Sequence, residues 1–298
     1  MYDVSIYCQS GDNVGEGPFW SEKEQALYWI DIIGKKLNCL PFGSSGVKSW
    51  TFPEMVCGVV PRQNGELIVA LCQTVGSFDL ATEKFTPLVQ IDTETLGNRN
   101  NEMKCDPKGR LWIGTMQENV NPDGTGREIT QHSGNLFCLH PDLTVKKHRS
   151  GMGISNTLAW SPDNKIMYFG DSIADTIWAY DYDTDSGDIK NPLPFLSNQN
   201  AGAPDGSAID QDGYIWNARF GAGCVLRVSP DGKNIERIDI PVTNPTSCAF
   251  GGPNMDILFV TSAQFTLDEK QLENNESEGA VVAIKTNSRG TSTVAFSG

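Results

Sequence analysis

The sequence predicts an all-β fold, a six-bladed β-propeller that forms a single domain across residues 1–298. Two short apolar runs flank a turn rich in Asn, Asp, Gly or Pro, which is the pattern of a β-hairpin. This pattern occurs six times, and its first runs end between 41 and 55 residues apart, about the length of one four-stranded blade. No segment has the apolar spacing of an amphipathic helix, so the repeat favours a propeller over a β-sandwich.

The six copies of the pattern follow one another in order along the chain. Their first runs end at Trp20, Pro61, Cys105, Trp160, Ile209 and Phe250. A second hairpin pattern follows most copies, at 75–80, 134–139, 176–180 and 225–228. Each unit therefore contains four strands, as a propeller blade requires. Residues 4–8 precede the first copy, and we expect them to complete the last blade and to close the ring without exposed strand edges.

The third copy is followed by the longest interval, 55 residues, because it contains a polar segment at 117–133 that is rich in Asn, Asp and Gly. A polar segment of this length without apolar periodicity indicates an inserted loop. Long loops on a rigid scaffold commonly carry function. We expect this one to lie over one face of the propeller as a flap.

Charge and cysteine spacing restrict the class of protein. The net charge of −14 argues against a nucleic-acid partner, since phosphate binding requires clustered Lys and Arg. No apolar run approaches the ~18 residues of a membrane span, and the first residues lack the basic and apolar regions of a signal peptide. None of the eight cysteines has C-x-x-C spacing. These features predict free thiols, no membrane partner and a cytoplasmic location, and they leave the oligomeric state open.

One fixed position of the repeat, four residues before the end of the first run, indicates a site. In chain order it holds Glu16, Cys57, Asn101, Asn156, Asp205 and Thr246. The first strand of each blade lines the central channel, so these side chains form a ring at one height. Two carboxylates and two amides that converge there offer hard oxygen ligands to a divalent cation. Side chains that cap strand ends or bind channel water would give the same pattern, and spacing alone leaves both interpretations open.

Five short motifs are distinctive in combination. They are GEGPFW at 15–20, GRLWIGTM at 109–116, NTLAWSPDNK at 156–165, PDGS at 204–207 and AFGGP at 249–253. Together they resemble the senescence marker protein-30 (regucalcin), gluconolactonase and luciferin-regenerating enzyme family. The similarity extends from Val14 to Ala263, nearly the whole chain. Each motif alone is weak, but the combination is highly specific.

The resemblance implies a propeller with one divalent metal cation on its axis, held by Glu16, Asn156 and Asp205. It also implies that Asn101 lies beside the metal and binds substrate or water, and that Arg99 contacts the substrate. Within the sugar lactonase branch, the activity is metal-dependent hydrolysis of a sugar-acid (aldono) lactone to the open-chain acid. Oxygen ligands suit Ca²⁺, Mg²⁺ or Mn²⁺ and also tolerate Zn²⁺ or Fe²⁺, so the identity of the cation stays open.

A small sugar lactone is rich in hydroxyl groups and requires converging polar groups in its pocket. We expect four residues in or just after the third copy to bind it: Arg99, Asn101, Glu102 and Glu118. For the mechanism, Asp205 is the expected general base that takes a proton from the attacking water. Glu16 can serve the same role, but its longer side chain better fits a plain ligand.

The chain departs from the family pattern at two places beside this site. Asn101-Glu102-Met103 stands where the family usually has Asn-Asp-Gly, and Asn156-Thr157 stands where it usually has Asn-Gly. Glu102 reaches one methylene further than an aspartate, and Met103 adds bulk. We therefore expect the metal ligands to be retained and the substrate preference to change.

Two alternatives to a sugar lactonase stay open at this stage. The same ligands would serve a calcium-binding regulatory propeller, whose metal is structural or a signal. They would also serve a hydrolase of a non-sugar ester or organophosphate, or the nitrile chemistry that the luciferin-regenerating branch implies. Turnover of a small-molecule lactone would separate the predicted enzyme from both alternatives.

Overall fold

In the computed structural model, which describes residues 2–298, the strands form six antiparallel sheets of four strands each. Blade 1 contains β2 (Gly15–Ser21), β3 (Ala26–Asp31), β4 (Lys36–Pro41) and β5 (Lys48–Thr51). Blade 2 contains β6 (Val56–Pro61), β7 (Leu67–Leu71), β8 (Thr74–Asp79) and β9 (Lys84–Gln90). Blade 3 contains β10 (Asn98–Cys105), β11 (Leu111–Gln117), β12 (Gly134–Leu139) and β13 (Val145–Met152).

The second half of the ring repeats this order. Blade 4 contains β14 (Ser155–Trp160), β15 (Ile166–Asp171), β16 (Thr176–Tyr182) and β17 (Ile189–Ser197). Blade 5 contains β18 (Ala203–Ile209), β19 (Ile215–Phe220), β20 (Cys224–Val228) and β21 (Ile235–Asp239). Blade 6 contains β22 (Pro245–Gly251), β23 (Ile257–Ser262), β24 (Val281–Lys285) and β1 (Asp3–Cys8).

The ring is closed by the strand that comes first in the chain. Asp3 pairs with Lys285 and Ile6 with Val282, so that β1 forms the outer strand of blade 6. The expectation for residues 4–8 and the prediction of a six-bladed propeller are therefore confirmed. Because the first strand completes the last sheet, backbone hydrogen bonds hold the two ends of the ring together.

The core lies between neighbouring blades. All six residues of β3 are buried, and all but Asp31 are apolar or aromatic, because a blade has a neighbour on each face and a strand covered on both faces favours an apolar run. Ile30 of blade 1 packs in one cluster with Val59 and Val69 of blade 2, and Trp112 of blade 3 packs with Phe169 of blade 4. The short apolar runs of the sequence are thus the inner strands of the blades.

The same contact holds the first hairpin turn in blades 3 and 5. Trp112 Nε1 donates to Asp106 Oδ2 at 3.0 Å, and Trp216 Nε1 donates to Asp210 Oδ2 at 3.1 Å. Asp106 is fully buried and also forms a 2.6 Å ion pair with Arg110. Burying a carboxylate costs less free energy when the group is paired in this way.

One short helix, α1 (Glu269–Asn274), lies between β23 and β24. Asp268 caps it, since its side chain accepts a hydrogen bond from the backbone nitrogen of Gln271 and its own backbone nitrogen donates to the Gln271 side chain. None of the helical residues is buried, so the helix has no apolar face. Within the described part of the chain, no helix combines the length and the apolar character needed to cross a membrane.

Candidate functional site

The inner strand of every blade is distorted at the same height of the channel. The strand register shifts between Glu16 and Phe19, Val56 and Gly58, Asn100 and Met103, Asn156 and Leu158, Pro204 and Ser207, and Pro245 and Cys248. Such bulges redirect side chains, and they are frequent beside active sites. The ring position of the repeat therefore coincides with a backbone irregularity in all six blades.

Five of the six ring residues line one pocket of about 250 Å³ at a mouth of the channel. They are Glu16, Asn101, Asn156, Asp205 and Thr246. The sixth, Cys57, lies in a narrow adjoining cavity that Glu16, Asn101 and Asn156 also line. The structure thus brings together the three residues expected to bind a metal, and it places Asn101 beside them.

The two carboxylates of this site are held in a protein environment that disfavours their charge. Burial and the neighbouring Glu102 raise the pKa of Glu16 to about 8, although Glu16 keeps some contact with solvent through the pocket. Burial and the charge of Glu16 raise the pKa of Asp205 well above its usual value. Glu16 Oε2 accepts a 2.7 Å hydrogen bond from the backbone of Gly17. The carboxyl group of Asp205, whose Oδ1 has no other partner, lies within hydrogen-bonding reach of the Glu16 carboxyl group.

Neighbouring groups orient the amide of Asn156. Its Nδ2 donates to Ser172 Oγ at 2.8 Å, and that hydroxyl donates to the Pro204 carbonyl at 2.7 Å. Its Oδ1 faces the ring, where Asn101 Nδ2 donates to it at 3.1 Å. A carbonyl oxygen has a second lone pair, so Asn156 Oδ1 keeps the capacity to bind a cation.

These donors fit the divalent cation that the family implies. Two mutually repelling carboxylates, an inward amide oxygen and an orphaned Asp205 Oδ1 form a set of hard oxygen ligands. Glu16, Asn156 and Asp205 would hold the cation. Within residues 2–298, no three His, Cys, Asp or Glu side chains are grouped in a metal-ligating cluster, and the candidate set instead takes its third donor from an amide.

Arg99 lies in the pocket wall beside this set and is buried, with 5% of its surface exposed. Its Nη1 donates to Asn101 Oδ1 at 2.7 Å, and its Nη2 donates to Asn119 Oδ1 at 3.0 Å. Glu118 lies outside the pocket lining and faces Arg99 Nε at 3.5 Å. Glu118 is therefore placed to orient Arg99, and direct contact between Glu118 and a substrate stays a prediction.

Glu102 and Met103 lie outside the lining of this pocket. Both line the narrow cavity and a second cavity of about 290 Å³, which lies toward the other end of the channel beside residues 291–294. Burial raises the pKa of Glu102. Met103 covers Gly58, since a Cβ at Gly58 would lie 2.9 Å from that of Met103. Their effect on substrate preference stays a prediction.

Thr157 occupies the bulge of β14 with a left-handed backbone, at φ 50°. A β-branched residue is strained there, which explains why glycine is the relaxed choice beside Asn156. The hydroxyl compensates, because Thr157 Oγ1 donates to the Asp205 carbonyl at 2.5 Å and contacts Ser207 Oγ at 2.9 Å. The departure from Asn-Gly therefore adds a link between the strands that carry two of the candidate ligands.

Loops from distant parts of the chain cover the mouth of the pocket. Within 117–133, Asn119 and Val120 line the pocket, a Cβ at Gly126 would lie 3.1 Å from the Phe265 ring, and one at Gly124 would lie 3.4 Å from Ile33. Both Phe265 and Ile33 line the pocket. The segment expected to be a flap thus lies over the face that carries the ring. The repeat gave no signal for these residues, because they lie in loops that have no equivalent in the other blades.

Comparisons with known proteins agree with this arrangement. The family described as SMP-30/Gluconolactonase/LRE-like region matches residues 14–264. Regucalcin of Xenopus laevis is 33% identical over 288 residues, or 95% of each chain. YvrE of Bacillus subtilis (strain 168), which is named as a proposed sugar lactone lactonase, is 32% identical over 99% of each chain.

Solved structures show the same similarity. A luciferin-regenerating enzyme superposes with a TM-score of 0.90 at 29% identity, covering 100% of both chains. A regucalcin of Agrobacterium tumefaciens, described as a calcium-binding protein, has a TM-score of 0.91 at 27% identity over 99% of this chain and 97% of that one. The family match spans most of the sequence and includes every candidate ligand, so the chain belongs to the SMP-30/gluconolactonase/LRE-like family.

Proposed function

We propose that the chain hydrolyses a sugar-acid (aldono) lactone to the open-chain acid, with one divalent cation held by Glu16, Asn156 and Asp205. The observation that carries this proposal is the convergence of two buried carboxylates and an oriented amide oxygen on a pocket of about 250 Å³. YvrE, which is similar along its whole length, supports the substrate class. A pocket of this size takes a single small ring.

A lactone is an activated ester, so its hydrolysis requires no covalent nucleophile. A bound divalent cation polarises the carbonyl and lowers the pKa of water. Asp205 is the proposed general base: its carboxyl group has two oxygens, so one would contribute to holding the cation while the other accepts the proton of the attacking water. The same carboxyl then returns that proton to the departing ring oxygen, which leaves as the hydroxyl of the open-chain acid.

The other pocket residues bind and orient the lactone. Arg99 presents a guanidinium that Asn101 and Asn119 hold in place, and it attracts the electron-rich oxygens of the ester. Asn101 lies between Arg99 and Asn156, where it positions the substrate or a water molecule. Residues 117–133 limit the access of bulk solvent, because they cover the mouth of the pocket.

The test is a lactone hydrolysis assay on protein stripped with a chelator and reloaded separately with Ca²⁺, Mg²⁺, Mn²⁺, Zn²⁺ or Fe²⁺. We expect activity to return with at least one cation and Asp205→Asn to lower the rate about 10²–10⁴-fold with the metal still bound. Asp212→Asn, an exposed aspartate of the same blade, is the matched control. Tight calcium binding without turnover of any lactone, ester or organophosphate would instead identify a calcium-binding protein.

A further inference from the structure

Outside the ring, most of the pocket wall is apolar, and the polar residues that also line it are Arg99, Asn119, Ser172 and Thr266. We define the canopy as the pocket-lining residues Ile32, Ile33, Val120, Ile154, Phe220 and Phe265. Ile33, Val120 and Phe265 belong to loops that contact one another across the channel, and each keeps part of its surface exposed. Apolar surface that encloses a cavity is stabilised when a ligand displaces the water from it. The canopy therefore favours a ligand with an apolar part.

The polar groups of the ring are largely occupied by one another. Arg99 Nη1 and Nη2 already donate to Asn101 and Asn119, and Asn101 Nδ2 donates to Asn156. The hydroxyl of Thr246 donates to the backbone carbonyl of a neighbouring strand. Among the described pocket residues, two buried side-chain atoms lack a hydrogen-bond partner, Arg99 Nε and Asp205 Oδ1.

Arg99 Nε faces Glu118 Oε1 at 3.5 Å, so Asp205 Oδ1 is the open one of the two, and it lies at the ring, where the reacting ester would bind. A hydroxyl group far from the ester would reach the canopy instead, where the side chains are hydrocarbon. Such a hydroxyl would lose its hydrogen bonds to water without a replacement, which weakens binding. The cavity of about 250 Å³ is also too small for a long acyl chain.

Because the polar groups lie at the ring and the hydrocarbon side chains form the canopy, we infer that the site prefers a sugar lactone with an apolar end. Such a substrate is a deoxy lactone whose terminal carbon is a methyl group in place of hydroxymethyl. The inference rests on the proposed lactone hydrolysis and narrows its substrate class. The ester binds at the ring between Arg99 and Asp205, and the methyl group contacts the canopy. The hydroxyl groups on the carbons of the lactone ring lie nearest the polar side chains that encircle the channel.

The experiment compares a 6-deoxyhexono-1,4-lactone with the parent hexono-1,4-lactone of the same configuration. The two substrates differ in one hydroxyl group, so their reactive esters are identical. We expect kcat/KM to be about tenfold or more higher for the deoxy lactone, which is the usual discrimination for one small group in an apolar pocket. Equilibrium binding of the two product acids gives the same comparison without turnover.

Substitutions in the canopy test its role. Val120→Thr adds a hydroxyl group at nearly constant volume, and Ile33→Thr adds a hydroxyl group and leaves the side chain one non-hydrogen atom smaller. In the double variant we expect the ratio of the two kcat/KM values to fall toward one. Leu193→Thr is the matched control, because Leu193 is 68% exposed on the outer strand of blade 4 and lies outside the pocket. Thermal unfolding of each variant establishes that the fold is intact.

Two outcomes would overturn the inference in distinguishable ways. If both lactones open but the parent reacts as fast as the deoxy lactone or faster, the apolar preference is wrong and the proposed function stands. If neither lactone opens faster than with Asp205→Ala protein under any of the five cations, the proposed function fails and the inference fails with it. A deoxy preference that persists in the threonine variant would assign selectivity to groups other than Ile33 and Val120.

Discussion

Arg99 and Asn101, two residues apart on β10, are joined by a 2.7 Å hydrogen bond from the guanidinium Nη1 to the amide Oδ1. The same amide donates to Asn156 Oδ1 at 3.1 Å. A charged group in the pocket wall is therefore connected through one side chain to a candidate metal ligand. Asn101 occupies the ring position of blade 3, and it couples the part of the site proposed to bind substrate to the part proposed to bind the cation.

This connection predicts that Asn101→Ala leaves the side chains of both Arg99 and Asn156 less firmly positioned. Groups that orient a metal ligand typically contribute 10–100-fold to metal affinity or activity, so we expect a loss of that size in kcat/KM. Calorimetric titration with the activating cation and a lactone assay measure the two effects. Asn38→Ala is the control, because Asn38 is a buried amide on β4 that accepts a hydrogen bond from Ser49 outside the pocket. Unchanged kinetics in the Asn101 variant would show that the connection has no role.

A buried carboxylate near the ring closure predicts an unusual dependence of stability on pH. Burial, with the charge of Asp31 adding to it, raises the pKa of Asp12 from 3.8 to about 7, even though Trp29 Nε1 donates to its Oδ2. The folded state holds the proton more tightly than the unfolded chain does. The stabilising contribution is therefore fully present below pH ~4 and is lost as pH rises through ~7.

The variant Asp12→Asn tests the direction of this pH dependence of stability. The neutral amide retains an acceptor for Trp29 and never requires a buried charge, so we expect the variant to gain stability relative to the parent as pH rises. Between pH 5 and pH 8 we expect this gain in the free energy of unfolding to grow by an amount on the order of 2 kcal/mol. Urea unfolding at both pH values measures the difference. A destabilisation that grows from pH 5 to pH 8 would contradict the assignment.

The buried ion pair of blade 3 predicts a large loss of stability. Asp106→Ala leaves the Arg110 guanidinium, which is 5% exposed, without its charged partner and also removes the acceptor for Trp112. Removing one member of a buried pair typically costs about 3–5 kcal/mol. Asp185→Ala removes an exposed partner of Lys108 and is expected to cost less than about 1 kcal/mol. Chemical denaturation compares the two, and equal effects would contradict the prediction.

The ring of candidate ligands could be predicted from the sequence because propeller geometry repeats. One phase of the inner strand recurs in every blade, so Glu16, Asn101, Asn156 and Asp205 could be placed at one height before any coordinates were known. The canopy could not be predicted in this way. Apart from Phe220, which ends β19, its members lie in segments between strands that differ from blade to blade, and closure of the ring brings residues as distant in sequence as Ile33 and Phe265 to one pocket.

Two other features could not be predicted for local reasons. Helix α1 has six residues and none of them is buried, so it leaves no apolar periodicity in the sequence. The strand bulges depend on backbone geometry that residue types reveal only in part. Gly17 and Thr157 both adopt left-handed backbone in these bulges, although only the glycine is a residue type that indicates such a conformation.

The pairing of β1 with β24 has a consequence for biosynthesis. A ribosome makes β1 before every other strand of the ring, whereas its partner at Val281–Lys285 comes after the five other blades are complete. Throughout translation of those blades, the edge of β1 has no native partner and is open to pairing with another nascent chain. Its alternation of exposed Asp3 and Ser5 with half-buried Val4 and Ile6 gives it a polar face during that interval. The candidate pocket, which needs Glu16 of blade 1 beside Asp205 of blade 5, can therefore become fixed only at the end of synthesis.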